Sequence, residues 1–338
     1  MLDKVRVGFV GCGGIAGSHL TGLARMEDVE LVAFCDISAE AAERRAAEYG
    51  GRAFTDPRAM LDAVQIDALF ICLPPFAHGE AEIAAIEHRV PFLVEKPLGL
   101  DLDLMREIAR RVEEADLLAG AGYMTRYRRS VQRARRILQQ DPLIIGYGGW
   151  IGRPPDGSIP IHRWWVVKEK SGGQFHEQVT HTVDLVRYLA GEVEEVFAYG
   201  ARGFNRSARA ALPEYDIEDG VVVNMKLAEG AVVTLYAACA AKAGGGGVNL
   251  HLFAHEHSIL FSGWEYTGRF LVAGEPEIIE IPGEKDIFTL EDRAFLNAVK
   301  TSDRALIRST YADGVRTAAV TLAANQSLAT GQPVRVAI

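Results

Sequence analysis

Three groups of residues in this 338-residue chain have types and spacings that chemistry uses. The first is Gly11-Cys12-Gly13-Gly14-Ile15-Ala16, which follows the apolar run Val5 to Val10 and opens a helical pattern from Ile15 to Met26. It fits the turn G-x-G-x-x-A. Gly11 allows the tight bend, Gly13 lets the backbone approach a pyrophosphate, and the small Ala16 lets helix pack on strand. The helix N-terminus at Gly14 and Ile15 supplies amide donors and the positive end of a dipole. Asp36 stands 20 residues beyond Ala16, at the end of the second strand pattern, where a carboxylate holds the adenosine ribose hydroxyls. That carboxylate would repel a 2′-phosphate, and Ile37 and Ser38 bring no guanidinium, so NAD is expected in preference to NADP.

The second group is Glu177, His181 and Asp184. On one helix predicted from Gln174 to Leu189, Glu177 and His181 are i and i+4 and share a face. Asp184, one turn further, falls within reach of the histidine. A carboxylate touching His181 would fix its tautomer and raise its basicity, giving an acid–base pair. A satisfied histidine in the first turns of a helix is the plainer alternative. His176 points to another face and is a candidate for substrate contact only. The third group is His251, His255, Glu256 and His257. On a strand, residues 251, 255 and 257 would share a face that suits zinc. Exposed histidines at a strand end are the commoner outcome, and no metal is expected.

The elements that must position these residues fall into two patterns. Up to about residue 122, short apolar strands alternate with amphipathic helices. Strands are expected at 5–10, 30–35, 52–54, 68–73, 91–94 and 117–121. Ser38 and Asp56-Pro57 mark helix starts. Such alternation means a parallel sheet covered on both faces, a doubly wound α/β domain over residues 1–122. From residue 123 to 338 the pattern changes. A basic helix at 128–139 is followed by the predicted helix at 174–189. Alternating strands come next at 193–200, 220–226, 231–238, 248–254 and 258–261, and helices at 290–300 and 311–329 close the chain. Runs of strands with few helices predict a C-terminal α+β domain with a mostly antiparallel sheet.

Composition narrows the classes of function. Lys plus Arg is 36 against 45 Asp plus Glu, a formal charge of −9, which disfavours nucleic-acid backbones as partners. The apolar run Ala68 to Ala77 contains two prolines and falls well short of the roughly 20 residues of a membrane span. The start, Met1-Leu2-Asp3-Lys4 running into a strand, reads as having no secretory leader. Cys12, Cys35, Cys72 and Cys239 show no C-x-x-C spacing, which suits buried thiols in a reducing cytoplasm. Glycine is in excess, with 34 residues, about 10% against a usual 7% or so.

Two further motifs carry a resemblance. Leu73-Pro74-Pro75-Phe76-Ala77-His78 closes the fourth strand, and Glu95-Lys96-Pro97 closes the fifth. With the turn at Gly11, the glycine-led segment Ser171 to Asp184 and the closing helix at Tyr311 to Ser327, the chain resembles the Gfo/Idh/MocA family of NAD(P)-dependent oxidoreductases. The resemblance spans nearly the whole chain. It implies an N-terminal Rossmann domain and a C-terminal domain with an open antiparallel sheet, the substrate lying between them against the nicotinamide. It also implies hydride transfer at a secondary alcohol or ketone of a sugar, cyclitol or related polyol. Cofactor contacts are expected at Gly11, Gly13, Gly14, Ile15, Asp36, Leu73, Pro74, His78, Glu95 and Lys96.

Hydride transfer needs a partner for the hydroxyl proton. Lys96 lies at the carboxyl end of a parallel strand, where such folds bind ligands, and partial desolvation there suits a proton carrier. Lys96, His181 and Glu177 are therefore the expected catalytic residues. In many family members the acidic position is Asp followed by small residues. Here Glu177, Gln178 and Val179 stand instead, which leaves open whether Lys96 or His181 carries the proton. Arg163, Trp164 and Trp165 suit stacking on a sugar face or a place in the core or a subunit interface, and Tyr123 and Arg126, at the domain junction, suit the substrate cleft. An apolar sheet face that needs covering predicts a homodimer or homotetramer through the C-terminal sheet. The same fold also serves NAD-binding sensors without turnover and NAD-dependent glycoside hydrolases, and these are the alternatives.

Overall fold

The computed structural model describes residues 4–337; Met1 to Asp3, on which the reading of a leaderless start rests, and Ile338 lie outside the described residues. The first part of the chain lays down β1 (Val5–Val10), α1 (Gly14–Leu23), β2 (Val29–Cys35), α2 (Ala39–Tyr49), β3 (Arg52–Phe54) and α3 (Pro57–Ala63). β4 (Ala68–Ile71), α4 (Glu80–Glu87), β5 (Phe92–Val94), α5 (Leu102–Glu114) and β6 (Ala119–Ala121) follow. The strands form one parallel sheet in the order β3-β2-β1-β4-β5-β6. The order reverses at β1, the point beside which doubly wound sheets bind dinucleotides.

Local chemistry accounts for these elements. Ser38 Oγ caps α2 by accepting the Ala41 amide at 3.3 Å, and Asp56 caps α3 through the Ala59 amide at 2.7 Å, with Pro57 in the first turn. β1 is buried along its length except at Arg6, as a strand covered on both faces must be. Phe9 stacks between Phe34 and Phe70 at 6.1 and 5.1 Å and ties three neighbouring strands together. The helix predicted to start near Ala77 begins only at Glu80. Pro75–Ala77 forms a short 3-10 turn first, and Gly79 at φ +123 breaks the chain before the helix can begin.

The chain continues with α6 (Arg129–Leu138), β7 (Ile145–Gly152), α7 (His162–Trp165), α8 (Lys168–Ser171), α9 (Gln174–Gln178), α10 (Thr180–Ala190), β8 (Val193–Ala201) and α11 (Arg206–Ala211). Next come β9 (Gly220–Leu227), β10 (Val232–Cys239), β11 (Gly247–Phe253), β12 (His257–Ser262), β13 (Thr267–Val272) and β14 (Ile279–Ile281), then α12 (Ile287–Thr301), α13 (Tyr311–Thr330) and β15 (Val334–Arg335). Nine strands form the second sheet, in the order β14-β13-β12-β11-β7-β10-β9-β8-β15, with β7 and β10 its one parallel pair. β9 and β10 alternate between buried and open positions, as strands covered on one face do.

The single predicted helix from Gln174 to Leu189 is in fact two. Val179, at φ −106 and ψ 1, separates α9 from α10. The chain divides into two compact units, one running to Met124 and resuming at Asp286–Val315, the other comprising Thr125–Lys285 and the chain from Arg316 onward. α12, which chain order assigns to the second domain, therefore packs with the first. Its Phe295 meets Phe70 edge-on at 5.7 Å, and Asp292 bonds His19 of α1. No described helix is long and apolar enough to cross a membrane.

Candidate active site

The first unit builds its site at the carboxyl ends of β1, β2, β4 and β5. Gly11 has φ +88, and a Cβ there would lie 2.2 Å from the Cys72 carbonyl, so only glycine permits the bend. Cβ atoms on Gly13 and Gly14 would meet nothing within 4 Å, and α1 begins at Gly14 with no side-chain cap. An open backbone surface at an uncapped N-terminus of a ten-residue helix fits a pyrophosphate. Asp36 closes the far side. Its Oδ2 accepts the Cys12 amide at 2.8 Å and its Oδ1 the Ser38 amide at 2.9 Å, which fixes the carboxylate beside the turn. Ile37 beside it is almost wholly exposed.

The loop after β4 is held from within. His78 bonds the Leu73 carbonyl through Nε2 at 3.1 Å and Glu82 through Nδ1 at 2.6 Å, while Glu82 also accepts the Gly79 amide at 2.7 Å. With both ring nitrogens occupied, His78 shapes the wall formed by Leu73 and Pro74. Lys96 is half-buried at the end of β5 and precedes Pro97 across a cis peptide bond. The Glu95 side chain, expected to face the cofactor, is instead turned inward and 3% exposed. It bonds His19 at 3.0 Å and accepts the Lys96 amide at 3.1 Å. Sequence reading missed Arg45 of α2. Its guanidinium reaches the Cys12 and Gly13 carbonyls at 3.4 and 3.3 Å and pairs with Glu48 at 2.9 Å. Its place on a charged helix gives no local signal.

The second unit places its expected residues differently. Gly172 and Gly173 have φ of +76 and +89, a pair of left-handed residues that turns the chain into α9. Glu177 closes that helix at 7% exposure, and half-buried His181 stands in the first turn of α10. Asp184 is engaged by residues outside its own helix. It is fully buried, receives Arg126 Nε and Nη2 at 2.7 and 2.6 Å, and accepts from Thr317 at 3.0 Å. Arg126 is thereby buried as the partner of Asp184. His176 is also completely buried, its Nδ1 2.8 Å from Thr321 Oγ1, which corrects its reading as a substrate contact. Tyr123 is fully buried in the first unit, and Trp165 nearly so in the second, where it takes the core place that was its alternative reading. Trp164 is half-buried and Arg163 exposed.

The histidine group lies at the hairpin between β11 and β12, and His255 sits in the turn, off the strand face it was expected to share. Asp141 accepts the His255 and Glu256 amides and pairs with His257 at 2.7 Å. Among the described residues no cluster of His, Cys, Asp and Glu could hold a metal ion. A shallow pocket of about 230 Å³ lies between His257 and Arg133, Arg136, Ile137 and Gln140, apart from the residues above. All four cysteines are buried and unpaired. Burial lifts Cys12, Cys35 and Cys239 to about 12, and Cys72 also rises well above the usual thiol range.

A phosphate turn after β1, an acid closing β2 and a strand order that reverses between β1 and β4 define a dinucleotide-binding protein, here joined to an α+β unit. The chain belongs to the Gfo/Idh/MocA oxidoreductase family. Residues 5–123 match the family described as "Oxidoreductase family, NAD-binding Rossmann fold", and residues 149–260 match the "GFO/IDH/MocA C-terminal domain". Among curated relatives, myo-inositol 2-dehydrogenase of Thermotoga maritima is 28% identical over 58% of this chain and 58% of its own length. Inositol 2-dehydrogenase 4 of Saccharopolyspora erythraea is 30% identical over 69% of this chain and 66% of its own. The uncharacterized oxidoreductase YrbE of Bacillus subtilis is 26% identical over 99% and 98%. The chain thus spans about two thirds or less of the two named inositol dehydrogenases. Among solved structures, the WlbA dehydrogenase of Bordetella pertussis, in complex with NADH and UDP-GlcNAcA, superimposes with a TM-score of 0.84 at 22% identity over 99% of each chain. Levoglucosan dehydrogenase in complex with NADH gives 0.85 at 19%, again over 99% of each. These two establish likeness of fold.

Proposed function

We propose that this chain is an NAD-dependent dehydrogenase that oxidises a secondary alcohol of a cyclitol or related polyol, with Lys96 as the proton carrier. The observation that carries the reading is the pairing, in one unit, of an open phosphate turn with a half-buried lysine at the neighbouring strand end. Gly13, Gly14, Ile15 and Asp36 would hold the dinucleotide, with Leu73 and Pro74 as its wall. The bound nicotinamide supplies the hydride acceptor. Lys96 takes the hydroxyl proton. His181 with Glu177 is the alternative proton carrier. The relatives named inositol 2-dehydrogenase support an inositol as the first substrate to test.

NAD is favoured over NADP because the Asp36 carboxylate is fixed beside the turn. Arg45, the guanidinium near it, is occupied by Glu48 and two carbonyls. The outer face of the C-terminal sheet exposes Ile145, Tyr147, Tyr199, Val222 and Val232. An apolar face of this kind supports assembly into a homodimer or homotetramer. Four buried free cysteines fit a reducing cytoplasm.

Incubation of the pure protein with NAD and a panel of inositols and sugars tests the reading. Appearance of reduced-nicotinamide absorbance with a cyclitol is expected. Tight NAD binding with no reduction by any member of the panel would refute it in favour of a sensor.

A further inference from the structure

Three ionisable side chains meet in the core of the first unit, from segments far apart in sequence. His19 of α1 is fully buried. Its Nδ1 lies 2.7 Å from Asp292 Oδ1 on α12, and its Nε2 lies 3.0 Å from Glu95 Oε1. Phe288 and Phe70 cover the imidazole, with ring centroids at 5.1 and 5.4 Å. A carbon side chain on Gly122 would approach Glu95 Oε1 to 2.8 Å, so glycine makes room for the carboxylate. The other carboxylate oxygen, Oε2, accepts the backbone amide of Lys96 at 3.1 Å.

We infer that His19 and Asp292 are positioning residues for Lys96, acting through the Glu95 carboxylate that grips the lysine's backbone. The inference rests on the reading of Lys96 as the proton carrier. Burying three ionisable groups is a poor way to stabilise a core, because well-packed apolar residues of similar volume usually do as well or better. Asp292 Oδ2 has no hydrogen-bond partner among the described residues, so the arrangement is not optimised for stability. It does constrain geometry. With Oε1 held by His19, Glu95 cannot rotate, and Oε2 stays on the amide that opens the Glu95-Lys96-Pro97 turn. The imidazole sits on the same helix whose N-terminus forms the phosphate turn, so one rigid element serves the cofactor seat and the lysine.

Burial alone would depress the His19 pKa. The charge and hydrogen bond of Asp292, joined by those of Glu95, overcome that and raise it well above the ordinary histidine value. A protonated ring donates from both nitrogens at once, which is what two flanking carboxylates require.

The test uses Glu95→Gln, which keeps shape and loses charge, with Asp292→Asn as a second variant should the first fail to fold. Trace acetylation with acetic anhydride, read by mass spectrometry, reports the reactivity of each lysine without any substrate. In either variant the reactivity of Lys96 is expected to change by roughly threefold or more. Exposed Lys226 should be unchanged, and NAD affinity should stay within about threefold. Unchanged Lys96 reactivity overturns the inference. So does an equal change at all lysines together with lost NAD binding, which would mark the triad as packing alone. Lys96→Ala assayed beside them separates the two claims: if it keeps full turnover, the proton-carrier reading fails whatever the labelling shows.

Discussion

At the end of β5, the charges of His19, Glu95 and Asp292 are arranged around the backbone of a lysine that itself stays half-open. In the second unit, Arg126, Asp184 and Thr317 close on one another, all three of them buried. Arg187 extends that network by donating to Thr317 at 2.6 Å, and Arg126 stacks over Tyr188 at 4.6 Å. One network aims a functional group; the other locks α10 to α13 and to the segment before α6. The same residue types therefore serve chemistry or architecture according to whether the last member of the network faces inward or outward.

The comparison breaks most readily at Arg126. Arg126→Ala leaves Asp184 buried without its bidentate partner, and a loss of about 3–5 kcal/mol is expected by denaturant unfolding. A loss below about 1 kcal/mol would show that the second network is not structural. Asp36→Ala should weaken NAD by roughly tenfold while leaving NADP little changed, as measured by calorimetry. If the preference for NAD survives, Asp36 is not the ribose anchor.

The smallest expected effect is on the pH dependence of stability. The folded chain holds the His19 proton more tightly than the unfolded chain does. The resulting stabilisation is complete below the unfolded histidine range and is lost as pH rises through the raised folded value. Wild-type Tm should fall across that alkaline interval, and Glu95→Gln should fall less over the same interval. Parallel curves would mean that His19 carries no such proton.

The two units also differ in how much of them was legible. The strands and helix starts of the first sheet read off the sequence within a few residues. A parallel strand buried on both faces is a continuous apolar run, and its turns carry Gly, Pro, Ser or Asp for stated backbone reasons. That Gly11, Asp36 and Lys96 stand at strand ends was legible for the same reason, the carboxyl ends of parallel strands sharing one edge of the sheet. The return of α12 to the first unit was not, since nothing local marks which core a helix joins. In the second unit β8 to β12 were legible as alternating runs, whereas β13 to β15, the break at Val179 and the turn at His255 were not. The partners seen on Asp184, Arg126 and Thr317, stand 58 and 133 positions away, which spacing within a helix cannot reveal. His176 misled for the same reason, Thr321 being 145 positions distant.

The account turns on Lys96. Single-turnover formation of reduced nicotinamide, at saturating NAD and with myo-inositol or the cyclitol that the panel identifies, compares wild type with Lys96→Ala directly. The rate is expected to fall by roughly 10²-fold or more while NAD affinity stays within about threefold. An unchanged rate in Lys96→Ala would contradict the assignment and move the proton to His181.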